Sequence, residues 1–178
     1  SRGVYQSRDD AASFVFKQFG VVMVDGIPFN VANAAATAGG RNLIVLKGGE
    51  GYAKTLPRRV EFKVNLAAQK FYVLGGVAGW GFPYGPPEGH NVPAVKATLT
   101  YDDGQTEELV WKNGEEFADY ARPNEVPGSK VAGEVTTSGQ VRWFSFQPTR
   151  RQKIVRIALE SFDNHLAPTF VAMTAQVK

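Results

Sequence analysis

Apolar and polar residues alternate with a period of two along much of this 178-residue chain. Val60, Phe62, Val64 and Leu66 fall on one side, and Arg59, Glu61, Lys63 and Asn65 on the other. Successive side chains leave a strand in opposite directions, so this alternation predicts a strand with one buried face. Val95, Ala97, Leu99 and Tyr101 alternate in the same way with Lys96, Thr98 and Thr100. A third strand sets Val155, Ile157 and Leu159 against Ile154, Arg156, Ala158 and Glu160. Asp103-Gly104 follows the second of these strands. Glycine tolerates positive φ, so this pair predicts a hairpin whose return strand spans 106–111. Further strands are expected at 19–24, 42–46, 71–74, 130–135, 140–146 and 169–177. A short helix is expected at 9–18 at most, and a turn at 115–120. Strands at short spacing, separated by Gly, Pro and Asn, predict an all-β fold: a jelly-roll β-sandwich of two antiparallel sheets over residues 18–178. Residues 1–17 form an N-terminal extension or short helix in this reading.

Strand parity then sorts the connections. Consecutive antiparallel strands from Val60 onward put 47–57, 75–93, 112–130 and 147–152 at one pole. The short turns 66–69, 102–105 and 136–139 fall at the other, and His165 is placed near that second pole with a structural role. Long connections at one end of a rigid sandwich are where binding usually resides.

One of those connections is unusual. Residues 74–91 read LGGVAGWGFPYGPPEGHN and set Trp80, Phe82 and Tyr84 at alternate positions among glycines and prolines. Flat apolar rings stack on flat apolar faces, and the C–H faces of pyranose sugars have that shape. Trp and Tyr add a polar tip to a wide apolar body. Parity brings His90, Asn91, Asp119, Tyr120, Arg150 and Arg151 to the same pole as groups that would orient hydroxyls, with Tyr52 and Lys54 nearby. The competing expectation is that the loop folds back over its own rings, Phe82 above all. Trp111 and Trp143 lie in strands and are expected in the core, with Trp143 able to edge the site.

Composition removes several functions. The net charge is +3, and Lys and Arg are scattered apart from Arg58-Arg59 and Arg150-Arg151. The chain therefore lacks the basic stripe of a nucleic-acid binder. No cysteine is present, which excludes disulfides, thiol catalysis and thiolate metal sites. No apolar run is long enough for a membrane helix. The opening at Ser1 without a Met fits a processed or excised segment of something longer, and a cloning choice would look the same. Nucleophile-elbow, zincin and P-loop motifs are all missing. The best acid/base candidates are Glu115, Glu116 and Asp119, but adjacent glutamates in a β context face opposite ways, and Asn113-Gly114 marks a solvated turn. No cofactor is required. A structural calcium would draw on backbone carbonyls and one or two of Asp25, Asn30, Asn33 or Glu160.

The pieces also have a telling order: VDGIPFNV, GGRNLIVLKGG, LPRRVEFKVN, KFYVLGGVAGWG, VKATLTYDDGQTEELVWKNGEEFADY, VRWFSFQP, KIVRIALES and PTFVAMTAQ. Over residues 19–177 this order resembles the galactose-binding-like (discoidin-like) β-sandwich modules attached to bacterial glycoside hydrolases and related secreted enzymes. The closing strand departs from that pattern with AMTAQ, and a late strand departs with Trp143-Phe-Ser-Phe-Gln-Pro148. The resemblance implies a jelly roll, non-catalytic carbohydrate binding through loops at one end, and often a structural calcium. The expectation is a secreted, periplasmic or cell-surface module that anchors a larger multidomain enzyme to a polysaccharide or oligosaccharide, with neither nucleic-acid nor membrane partners. Its site would comprise Trp80, Phe82, Tyr84, His90, Asn91, Asp119, Tyr120 and Arg150. The alternatives are a protein-interaction or structural module within such an enzyme, and a glycan hydrolase or lyase acting through Glu115, Glu116 or Asp119.

Overall fold

The structure, a computed structural model, describes residues 15–49, 51–78, 91–121 and 125–177. It is an all-β sandwich. A four-stranded antiparallel sheet holds β5 (Arg59–Leu66), β12 (Ile154–Ser161), β7 (Val92–Tyr101) and β8 (Thr106–Asn113), in that spatial order. A five-stranded sheet holds β4 (Ile44–Val45), β13 (Ala167–Val177), β6 (Ala68–Ala78), β11 (Arg142–Phe146) and β9 (Lys130–Val131). A hairpin of β2 (Gly20–Val24) and β3 (Ile27–Val31) lies against the outside of the five-stranded sheet, and β1 (Val15–Phe16) pairs with β10 (Thr136–Ser138). Among the described residues the helical turns are short 3₁₀ segments.

The alternating residues occupy the space between the sheets. Val95, Ala97, Leu99 and Tyr101 of β7 are all buried there. Trp111 sits at the centre, with the rings of Phe144, Phe146 and Phe117 at 5.0, 5.3 and 6.3 Å. Such tilted and edge-on ring contacts contribute about 0.5–1.5 kcal/mol each beyond the area they bury. On β12 a bulge between Ile154 and Arg156 changes the expected facing. Ile154 joins Ile157 and Leu159 in the core and Val155 is only half-buried, because one extra residue inverts the alternation on one side of it.

The five-stranded sheet is buried on both faces. Phe71, Val73 and Val77 of β6 face the inter-sheet core, whereas Leu74 and Ala78 face a second cluster with Val22, Val24, Phe29 and Val31 of the hairpin. That accounts for the unbroken apolar run 71–78, which alternation alone describes poorly. The hairpin turns at Asp25-Gly26, both at positive φ (48° and 78°). This is the same chemistry as at Asp103-Gly104, where Gly104 has φ 83°.

Two expectations for local structure are corrected. Val15 and Phe16 form a strand edge with Ser138 and Thr136 rather than the end of a helix; residues 1–14 lie outside the described residues. The segment 130–135 is not a strand that crosses the sandwich. Only Lys130 and Val131 pair, along the start of β11. That single miscount reverses the parity of everything after it. The 136–139 turn therefore lies at the pole where β6 ends, as the Gln140 N–H bond to Tyr120 O shows. The 147–152 connection lies at the opposite pole, beside the Asp103-Gly104 turn.

Candidate functional site

The aromatic segment leaves the sandwich at a well-anchored pole. Its first stem is the end of β6, where Ala78 pairs with Ala167. Its second stem is Asn91, at φ 59°, followed by Val92 paired with Asn113. Trp80, Phe82, Tyr84 and His90 lie outside the described residues. What the structure defines is the platform formed around the two stems.

One wall of this platform is segment 113–121. Val77 and Asp119 form a parallel bridge: Val77 N–H donates to Ala118 O at 3.2 Å and Tyr120 N–H to Val77 O at 3.0 Å. Asp119 is 4% exposed, and its Oδ1 accepts the Ala121 N–H at 2.8 Å, a local turn that Asp forms readily. Tyr120 is 9% exposed and packs in the outer cluster. Both residues therefore share the pole with the aromatic segment, but they are built into its base rather than displayed on its rim.

Beneath this wall runs a buried polar network. Gln140 Nε2 donates to Asp119 O at 2.6 Å. Arg142, 1% exposed, donates through Nη1 to Gln140 Oε1 at 3.1 Å, and through Nε and Nη2 to Ser129 Oγ and Ser129 O, both at 2.8 Å. A buried guanidinium is tolerable only when its fixed fork of donors is satisfied. Here the fork ties β11 to the loop that carries Ser129. Burial lowers the Arg142 pKa from its ordinary value, and Glu125, 3.7 Å away at the surface, opposes that shift.

The opposite wall is made by loops 47–55 and 162–166. Gly49 N–H donates to Asn164 O at 2.9 Å, and Asn164 Nδ2 donates to Pro93 O at 2.9 Å beside the second stem. Gly48 has φ 153°, and a Cβ there would lie 1.7 Å from Leu166 O, so only glycine allows the two loops to meet. Lys47 and Asp163 close the contact with an ion pair at 2.8 Å. Tyr52, Phe162 and His165 are exposed on these loops. His165 thus stands at the aromatic pole and not at the far one. A crossing strand over 130–135 would have put it at the far pole, and only the short β9 edge is present there.

Arg150 does not belong to the site. It lies at the opposite pole, paired with Asp103 and stacked 4.8 Å above the Tyr101 ring. Its guanidinium holds the Asp103 carboxyl below the usual range. Burial, with the hydrogen bond to Glu107, raises the Tyr101 phenol above its usual range. Thr149 N–H and Oγ1–H donate to the same Glu107. The whole cluster clamps the 147–152 connection to the hairpin.

Of the acid/base candidates, Glu116 is tied into its own turn. Glu116 Oε2 accepts the Lys112 N–H at 2.8 Å, folding the side chain back on its own turn, and burial raises its pKa. Among the described residues no three His, Cys, Asp or Glu side chains gather as metal ligands. Asp25 pairs with Lys130, Asn33 Oδ1 accepts the Ala35 N–H, and Glu160 lies in the other sheet beside Arg58 and Lys96. These calcium candidates are spread over separate elements. Trp143 packs on the outer face of the five-stranded sheet, with the Tyr72 ring at 6.2 Å and the Lys130 ammonium at 5.6 Å.

Comparison with protein-family models, with curated proteins and with solved structures returned no match to this chain. The galactose-binding-like resemblance therefore rests on the quoted residues alone.

Proposed function

We propose that the chain is a non-catalytic carbohydrate-binding module, with Trp80 and Tyr84 as stacking rings and Phe82 as support or a third ring. The observation that carries this reading is the sequence of 80–90 on its anchorage: three aromatic residues and His90 sit on a segment whose two stems are fixed by strand pairing and flanked by two pinned loops. A rigid base lowers the ordering cost of binding. The polar rim in this reading consists of His90, Asn91, Tyr52 and His165. Asp119 and Tyr120 act by holding the base, and Arg150 has no part.

Affinity electrophoresis against a panel of soluble polysaccharides tests the proposal. Trp80→Ala weakens retardation by about 1–3 kcal/mol, the usual range for an aromatic anchor, and leaves the melting temperature nearly unchanged. Arg150→Ala leaves retardation intact. Loss of stability in Trp80→Ala without any ligand effect assigns that ring to packing and removes the proposal.

A further inference from the structure

We propose that a cavity in the side of the sandwich binds an amphipathic monocarboxylate, an alkyl chain of medium length whose carboxylate is taken by Arg41. The starting observation is a gap at one sheet edge. β4 pairs with β13 only at Thr169 and Phe170. Before Ile44 the segment 41–43 flanks 171–173 without joining the ladder, and β13 itself bulges at Val171. The space left there is about 420 Å³, within the usual range of small-molecule pockets.

Both sheets contribute to its lining, with Ile44, Phe170 and Met173 from one and Phe62 and Leu159 from the other. Leu159 and Phe170 are buried, whereas Ile44, Phe62 and Met173 are only half-buried. An alkyl chain laid against these three side chains removes their apolar surface from water. A saccharide does not suit this lining. Arg41 and Asn42 supply its only polar side chains, and hydroxyls left unpaired in an apolar site are costly.

Charge then chooses the head group. Arg41 is the single charged residue in the lining. It is exposed, and among the described residues no carboxylate pairs with it. By contrast, Arg58, Arg59, Arg142, Arg150 and Arg156 each lie within ion-pair distance of an acidic side chain. The Thr37 hydroxyl donates to Arg41 O and so fixes the backbone from which this guanidinium extends. A guanidinium presents a planar fork that a carboxylate meets with two parallel hydrogen bonds. One unpaired cation on an otherwise apolar cavity therefore selects an apolar body with an anionic head.

Isothermal titration calorimetry and methyl NMR on the full chain test this, with decanoate as the probe. The chain's two methionines separate the cavity from the rest of the surface, since Met173 lines it and Met23 is exposed on the hairpin. Wild type binds decanoate, and the Met173 and Ile44 methyl resonances shift while that of Met23 does not. Octanoate binds about tenfold more weakly, as the loss of two buried methylenes requires. Arg41→Gln, at an exposed position, keeps the melting temperature, weakens decanoate about tenfold and leaves the binding of decanol unchanged. No uptake of decanoate at millimolar concentration overturns the proposal. So does Arg41→Gln binding decanoate as tightly as wild type, or a shift of Met23 as large as that of Met173. Self-association of wild type through Met173 with no carboxylate uptake gives the cavity to a second copy and has the same force. None of the lining residues belongs to the glycan-binding pole, so the Trp80→Ala test succeeds or fails independently.

Discussion

Arg142→Met keeps most of the side-chain volume and removes the charge and the fork of donors. The hydrogen bonds to Ser129 Oγ, Ser129 O and Gln140 Oε1, at 2.8, 2.8 and 3.1 Å, disappear. The Ser129 hydroxyl can reorient, but Ser129 O and Gln140 Oε1 lose their guanidinium partner in a buried site. Stranding a buried acceptor costs about 1–3 kcal/mol, and a bond to a charged donor is worth more than a neutral one. Returning the guanidinium to no burial at all offsets part of this, because a buried charge is itself expensive. The expected net loss is about 3–5 kcal/mol, a midpoint shift of about 10 °C for a domain of this size. Urea unfolding followed by tryptophan fluorescence measures it. Glu125→Gln is the companion variant: Glu125 is 90% exposed, so its loss changes stability by under about 1 kcal/mol. If Arg142→Met costs under about 1 kcal/mol, or if Glu125→Gln costs as much as Arg142→Met, the hydrogen-bonded network does not support the pole.

Other outcomes follow from the same geometry. Gly48→Ala places a methyl group 1.7 Å from Leu166 O, so backbone must move; a loss of at least about 2 kcal/mol in urea unfolding is expected, and a neutral result would mean loops 47–55 and 162–166 are not held together there. Glu116 has a folded pKa raised by burial, so its contribution to stability is greatest at acid pH and falls as pH rises through that value. Glu116→Gln keeps an acceptor for the Lys112 N–H and is therefore more stable than wild type at neutral pH, with an advantage that shrinks on acidification; urea midpoints across pH measure this, and a pH-independent difference refutes it. Arg150→Ala returns the Asp103 carboxyl upward toward its ordinary range, read by carbon NMR titration.

Local pattern was enough for most strands. The alternations at 60–66 and 95–101 recur as strands with the expected inner faces, because a half-buried strand writes its two environments into neighbouring residues. The β2–β3 hairpin was also legible. Val24-Asp25-Gly26-Ile27 carries the same Asp-Gly signal as Asp103-Gly104, although Pro28 interrupts the strand pattern of its return limb. The candidate site fared differently. Asp119 looked like a rim carboxylate and is a buried turn former. Arg150 looked like a neighbour of the aromatic segment and is at the other end. Nothing within a few residues of Lys130 distinguishes a two-residue edge from a crossing strand, and the positions of 136–139, Arg150 and His165 all depend on that distinction.

By itself the sequence determined the all-β architecture and the presence of three rings on a glycine- and proline-rich connection, because burial alternation and turn chemistry act over a few residues. Only the tertiary structure decided which connections share a pole, that the five-stranded sheet is covered on both faces, and that Arg142 and Asp119 are internal. Those are consequences of pairing between residues distant in the chain, whose energies depend on what each side chain meets and not on what precedes it.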